Sequence, residues 1–482
     1  YPHKTVYLLD DKRRPWFRSL AEELGCQYLT RPDNRHYKAG NINHALPLTH
    51  GEFIVFFDAD FVPSEHFLTR TLGFFKDPQV ALVQTPQNFY NTDPFETNLG
   101  LAGTLNNEQC FFFRHLQVSR DAYNAVICAG TSYVIRRQDL MAIGGIPTES
   151  ITEDLLTSIK LQARGKQVIY VNELLSAGDS PAIIDIYVNQ RLRWCRGTIQ
   201  ILFSKFNPFV AKGLNRVQRL YHSLGILYWF NHPARILMLS MPLLFLLFGL
   251  VPVEASGPEL LFYFFPYYLA YVLFARWLNE GYRSALWADV YETVVAFPLA
   301  MTTLDSLIRP FSKGFSVTPK QISNDTALLK FHVAFPLFIM AGLYLLALVI
   351  YFKVGIWQTP LEIAGITLFW SCFNLMIIWL SIQVTIDVPQ DRDAVCVSCD
   401  YPVTLTLDDK TTCAGRLIRL SEAGATFVSQ QHLASFKDSG SMGKEQKGTL
   451  CLSNDIALPV RVIVSQPQQT NAPPLADLVF RY

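Results

Sequence analysis

At 482 residues the chain has room for two or three domains. Charged residues make up only 17% and apolar ones 50%, a balance that excludes one compact water-soluble globule and points to membrane segments. With 41 basic against 40 acidic residues the net charge is +1, so no global field recruits nucleic acid, and nine scattered cysteines do not form the framework of a small secreted domain.

The chain opens on Tyr1, immediately before the strand-like run Thr5-Val6-Tyr7-Leu8-Leu9, and the natural N-terminus is expected upstream. Residues 1 to about 200 read as an α/β domain, because short apolar runs ending in polar residues alternate with helical stretches. Residues 53–57 before Asp58 and 168–171 before Asn172 look like buried parallel strands. Ligands of doubly wound sheets bind beyond the carboxyl ends of the strands, so the residues after these runs sit where a site would form. Asp10 and Asp11 end the first run, either as a loop cap or as a contact for a nucleotide base or ribose. Lys38-Ala39-Gly40-Asn41 offers a cation and a glycine that lets backbone approach a ligand. Asp58-Ala59-Asp60 places two hard carboxylates at a strand end, suited to Mg²⁺ or Mn²⁺, although the same triplet also recurs as a plain turn.

Thr152-Glu153-Asp154 opens a helical stretch, where cap and first-turn preferences account for all three residues and a general base would look the same. Gln190-Arg191-Leu192-Arg193-Trp194 lies on a further helix, with Gln190, Arg193 and Trp194 on one face. An arginine there can clamp a pyrophosphate and an indole can stack on a sugar; the plainer alternative is a basic amphipathic helix at a membrane surface.

From residue 234 the texture changes. Residues 234–253, 260–274, 333–351 and 363–386 are long or apolar enough to read as four membrane spans. The connection at 254–259 has no lysine or arginine, whereas the one between Arg276 and Lys330 has six, so the basic one is expected in the cytosol. Residues 1–230 and the tail after 388 then share that side of the cell's inner (plasma) membrane. Residues 285–304 contain Asp289 and Glu292 and read as an interfacial helix. Beyond Pro389, strand-like runs at 403–407, 426–428, 456–464 and 478–480 mark a small β-rich domain, with a loop at 437–447.

The order Asp-Asp, Asp-x-Asp, Thr-Glu-Asp and Gln-x-x-Arg-Trp, followed by membrane spans, resembles the processive family 2 glycosyltransferases, and within them the bacterial cellulose synthases. Phe315-Ser316-Val317-Thr318-Pro319-Lys320 is similar to their gating loop, and Gln84-Thr85-Pro86 and Ile127-Cys128-Ala129-Gly130-Thr131 to two further segments. The resemblance implies an α/β GT-A type glycosyltransferase domain over residues 1–230, a transmembrane helix bundle over 231–388 with a gating loop at 309–325, and a PilZ-like β-barrel over 389–482. It implies processive inverting transfer of glucose from UDP-glucose to the 4-hydroxyl of a growing β-1,4-glucan that crosses the bilayer. In that scheme Asp154, with Glu153 and Thr152, is the catalytic element. Asp10, Asp11, Lys38, Asp58, Asp60, Gln190 and Arg193 bind the donor, Asp58 and Asp60 holding the metal. Trp194 and Cys128 face the acceptor and channel, and Phe315, Val317, Thr318 and Lys320 close over the nucleotide. A periplasmic accessory subunit is an implied partner. Cyclic di-GMP is the ligand of such tails, yet Arg419 stands where an acid or amide belongs and no RxxxR lies near Arg392, which puts that ligand in doubt. A synthase of mannan, mixed-linkage glucan or chitin would carry the same motifs, and a non-catalytic membrane scaffold is the remaining alternative.

Overall fold

A computed structural model describes residues 3–102, 104–250, 257–278, 280–282, 284–312, 327–354 and 361–389, and beyond these only the strands of the C-terminal unit. The chain divides into two compact units, Tyr1–Val388 and Pro389–Tyr482. The gating-loop residues Phe315, Val317, Thr318 and Lys320 lie outside the described residues, as does Arg392 of the tail.

In the first unit β1 (Tyr7–Leu9) pairs in parallel with β2 (Gln27–Leu29). Next come β3 (Phe53–Phe56), β4 (Phe61–Pro63), β5 (Val80–Gln84), β6 (Tyr133–Arg136), β7 (Gln167–Tyr170) and β8 (Ser176–Gly178). The central sheet has the order β3-β6-β5-β7, while β4 and β8 pair separately. Every residue of β5 is buried, which is why its sequence runs apolar without alternation. The parallel pairing expected of residues 53–57 and 168–171 is found for 168–171, where β7 pairs with β5, and not for 53–57, where the partner of β3 is β6. Strand β6 runs antiparallel to both β3 and β5. The reason lies in residues 128–132, which turn at Gly130 (φ 83°) and Ser132 (φ 58°) and feed β6 from the end where β3 and β5 finish. That reversal delivers the loop to the strand ends bearing the acids.

Among the described residues, four helices are long and apolar enough to cross a membrane: Arg216–Phe248, Leu261–Leu278, Phe331–Lys353 and Ala364–Val384. The first ends at Phe248, short of the expected residue 253, because Gly249 turns left-handed (φ 68°) and caps it. The helix Ala285–Ile308 is not among the four. Its Val290, Val294, Val295 and Leu299 join Ile184, Tyr187, Cys195 and Ile199 of the Ile184–Gln200 helix in one apolar cluster with Val333 and Ile377 of the membrane helices. Strands β9 (Leu328–Leu329) and β10 (Ile386–Asp387) form a short antiparallel ladder. Asp387 there accepts from the Ile184 backbone N–H (3.0 Å) and faces Lys330 (3.6 Å), tying the Ile184–Gln200 helix to the end of the last membrane helix.

The second unit is a closed antiparallel barrel of β11 (Val397–Leu407), β12 (Thr412–Leu420), β13 (Gly424–Ser429), β14 (Gln446–Ser453), β15 (Ile456–Ser465) and β16 (Leu475–Phe480), in the order β11-β12-β13-β16-β15-β14. Its interior holds Leu405, Leu417, Phe427, Leu450 and Val460. Strands β12 and β14 are not expected from the sequence. Their glycines and hydroxyls weaken the apolar signal, and β14 takes in Gln446 and Lys447 at the end of the expected loop.

Candidate active site

The ends of β3, β5 and β7 and the start of β6 converge, and the candidate residues gather there. Asp58 follows β3, and its backbone N–H donates to Thr131 Oγ1 at 2.9 Å, stitching the Asp-Ala-Asp turn to the 128–132 loop. Lys38, on the helix Tyr37–Ala45, donates to Asp58 Oδ1 (2.5 Å) and to the Gly130 carbonyl (2.6 Å). Gly130 in turn lies against Asp154, for a Cβ on it would stand 2.8 Å from Asp154 Oδ2. One lysine thus bridges the Asp-Ala-Asp turn and the loop beneath the Thr-Glu-Asp segment.

Glu153 and Asp154 occupy the first turn of the helix Glu153–Ala163. Thr152 does not cap this helix with its side chain, and its hydroxyl meets Ser150 Oγ at 3.1 Å instead. Both carboxyls are half-buried and surrounded mainly by protein. Burial pushes Glu153 up to about 7, and the neighbouring Asp154 adds to the effect. Burial raises Asp154 as well, against the pull of Lys38 and Arg193. Burial alone would lower Lys38, but Asp58, Glu153 and Asp154 together hold it above its ordinary value. Burial lowers Arg193, with the same three acids opposing. The electrostatics therefore couple Asp58, Lys38, Glu153, Asp154 and Arg193 in one site.

The helix Ile184–Gln200 carries Gln190, Arg193 and Trp194. Gln190 Oε1 is buried without a hydrogen-bond partner. Arg191 belongs to the far side of this helix: it pairs with Glu108, and its guanidinium lies 4.9 Å from the Tyr187 ring and 4.7 Å from that of Trp194. The indole is therefore held by a cation that is itself anchored.

Asp10 and Asp11 end β1, where both are engaged. Asp10 is 3% exposed and accepts from the backbone of Lys12 and Arg14, the Arg14 guanidinium and the Tyr28 hydroxyl. Burial would raise its pKa, but these donors, the Arg14 side chain first, hold it at about 2. Asp11 is more open and takes both a 2.7 Å and a 2.8 Å bond from Arg31, which also donates to the Tyr37 carbonyl beside Lys38. Gly40 has a different task from the one its sequence suggests: the Arg35 carbonyl fills the space where its Cβ would stand, 2.0 Å away. Cys128 needs correction as an acceptor or channel residue. It is 1% exposed within the hydrophobic core, and its backbone N–H donates to Ser158 Oγ at 2.6 Å. Burial, then the Asp154 charge, pushes its thiol well up.

Sequence reasoning gives Gln84 no mechanical role. It is fully buried, accepts from the Ala129 N–H (2.8 Å) and donates to the Thr131 carbonyl (2.9 Å), so it holds the loop that positions Gly130. The available signal is a glutamine closing an otherwise apolar strand.

Residues 53–278 match the model of the glycosyl transferase family group 2. Residues 53–278 are thus similar to that family. Over 474 residues it is 34% identical to a UDP-forming cellulose synthase catalytic subunit of Pseudomonas fluorescens, a match covering 97% of this chain and 63% of that one. It is also 34% identical over 406 residues to cellulose synthase 2 of Novacetimonas hansenii, covering 83% of this chain and 25% of that one. The chain thus spans less than two thirds of the length of either relative. Among solved structures, a mannosyltransferase of Pyrobaculum calidifontis in complex with GDP-Man and Mn²⁺ is similar at 16% identity, covering 63% of this chain and 77% of that one, with a TM-score of 0.41. That likeness is too loose to carry an argument.

Proposed function

We propose that this protein is the catalytic subunit of a membrane-embedded processive synthase that transfers glucose from UDP-glucose to the 4-hydroxyl of a growing β-1,4-glucan and passes the product across the bilayer. The observation that carries this reading is the convergence of Asp58, Lys38, Asp154 and Arg193, the last on a helix whose apolar residues pack on membrane helices. The two cellulose synthase relatives support the choice of donor and polymer.

Asp154 accepts the proton of the acceptor 4-hydroxyl as that oxygen attacks C1 of the donor. The attack comes from the face opposite the diphosphate, so the anomeric carbon inverts. Its upward shift suits the task, since a base works best with a pKa closer to the operating pH. Lys38 and Arg193 stabilise the departing diphosphate. Gln190 Oε1, a buried acceptor lacking a donor, takes a hydrogen bond from the diphosphate-bearing sugar, and Trp194 offers its ring to the acceptor. Asp11, the more exposed of its pair, and Asp10 shape the nucleotide end.

Two carboxylates separated by one residue at a strand end suit a hard divalent ion that completes its shell with water and phosphate. Asp58 and Asp60 would hold Mg²⁺ or Mn²⁺, which when bound neutralises charge on the diphosphate. The first unit would be of GT-A type, with the site and the barrel on the cytosolic side of the inner membrane and residues 285–308 at its interface. We read the six-stranded barrel as PilZ-like, and the position of Arg419 argues against cyclic di-GMP as its ligand.

The test is the full-length protein in proteoliposomes with Mg²⁺ and radiolabelled UDP-glucose, beside Asp154→Asn. Polymer digested by an endo-β-1,4-glucanase and absent from the variant is expected. Polymer only from another nucleotide sugar would transfer the roles to a sister synthase, and full output from Asp154→Asn would overturn the mechanism.

A further inference from the structure

Four residues of the Ile184–Gln200 helix form one stripe: Gln190, Arg193, Gly197 and Gln200, spaced i, i+3, i+7 and i+10. Arg193 feels the charges of Glu153, Asp154 and Asp58, and Gln190 Oε1 is buried one turn before it. The last two of the four are fastened to the segment that bears the general base. Gln200, 4% exposed, accepts from the Ile151 N–H at 2.9 Å and donates to the Pro310 carbonyl at 2.8 Å. Ser150 Oγ donates to the Gly197 carbonyl at 2.7 Å and accepts from the Thr152 N–H at 3.1 Å. A Cβ on Gly197 would lie 2.7 Å from the Thr152 nitrogen, so helix and segment touch backbone to backbone.

We infer that Gln200, with Ser150 and Gly197, is a positioning residue that sets the distance between Asp154 and the diphosphate-binding side chains Gln190 and Arg193. This rests on the function proposed above and adds the part that holds its two halves in register. Residues 150–152 lead directly into Glu153 and Asp154, so a slip of this segment moves the base. Arg193 lies seven residues from Gln200, about 10.5 Å along a helix, and a rigid rod carries the clamp's position to it. Because Gln200 and Ser150 are buried and spend their polar atoms on backbone groups, their loss lowers the chemical step while nucleotide binding persists.

The experiment compares wild type, Gln200→Leu, Gln200→Glu and Gly197→Ala in the full-length protein reconstituted in lipid nanodiscs. It reads kcat and KM with UDP-glucose and, separately, the Kd of UDP by calorimetry. Gln200→Leu is expected to lower kcat by about 10- to 100-fold, on the scale of a misplacement of up to 1 Å, with KM and the UDP Kd within twofold. Gln200→Glu keeps the acceptor for Ile151 but loses the N–H donated to Pro310, so it should recover part of the rate lost in Gln200→Leu. If Gln200→Leu does not fold, Gly197→Ala carries the same expectation. A kcat within twofold of wild type, or a loss of UDP affinity equal to the loss of kcat, overturns the positioning role. A wild type making no polymer from any nucleotide sugar overturns the functional reading instead.

Discussion

Replacing Gly130 with alanine would place a methyl group 2.8 Å from Asp154 Oδ2, where ordinary contact begins at 3.4 Å. Either the carboxylate or the loop must move by about 0.6 Å, and Gly130 sits at φ 83°, a conformation that costs a non-glycine residue roughly 1–2 kcal/mol. A 1 Å displacement of a reacting group costs up to about 100-fold in rate, so a shift of this size should lower kcat about tenfold. The Gly130 carbonyl also receives Lys38, so the diphosphate side moves with it. The assay is incorporation of radiolabelled glucose by the full-length protein, alongside its thermal midpoint with and without UDP. Gly130→Ala with kcat within twofold of wild type in a folded protein would refute the assignment of Asp154 as the base that this glycine accommodates.

The remaining predictions concern protons and metal. Because folding raises the pKa of Glu153 and Asp154, their carboxylates take up protons at higher pH than free side chains do. The acid limb of kcat should lie above the ordinary aspartate range, with activity lost as pH drops; a midpoint inside that range would count against Asp154 as the buried base. The same shift means this pair favours the folded state below the unfolded carboxylate range, and that contribution disappears as pH rises through the folded pKa. Chelation with EDTA should abolish polymer formation and added Mg²⁺ or Mn²⁺ restore it, whereas undiminished synthesis in EDTA would remove the metal role from Asp58 and Asp60.

Features read from local pattern were legible without a structure. The apolar runs ending in Asp10, Asp58 and Asn172 mark strand ends, and four apolar stretches mark spans, because burial in a sheet or a bilayer is written into consecutive residues. The order of the motifs located the candidate site. Its internal mechanics are set by contacts between residues far apart in the chain. Lys38 reaches Gly130 across 92 positions, Arg191 meets Glu108 across 83, and Ile151 meets Gln200 across 49. No periodicity encodes such pairs, so only the tertiary structure decided that β6 runs antiparallel, that Cys128 is buried in the core, and that Arg191 holds Trp194 from behind. Chain neighbours determine which elements form; which of their side chains meet depends on how the elements pack, a property of the whole fold.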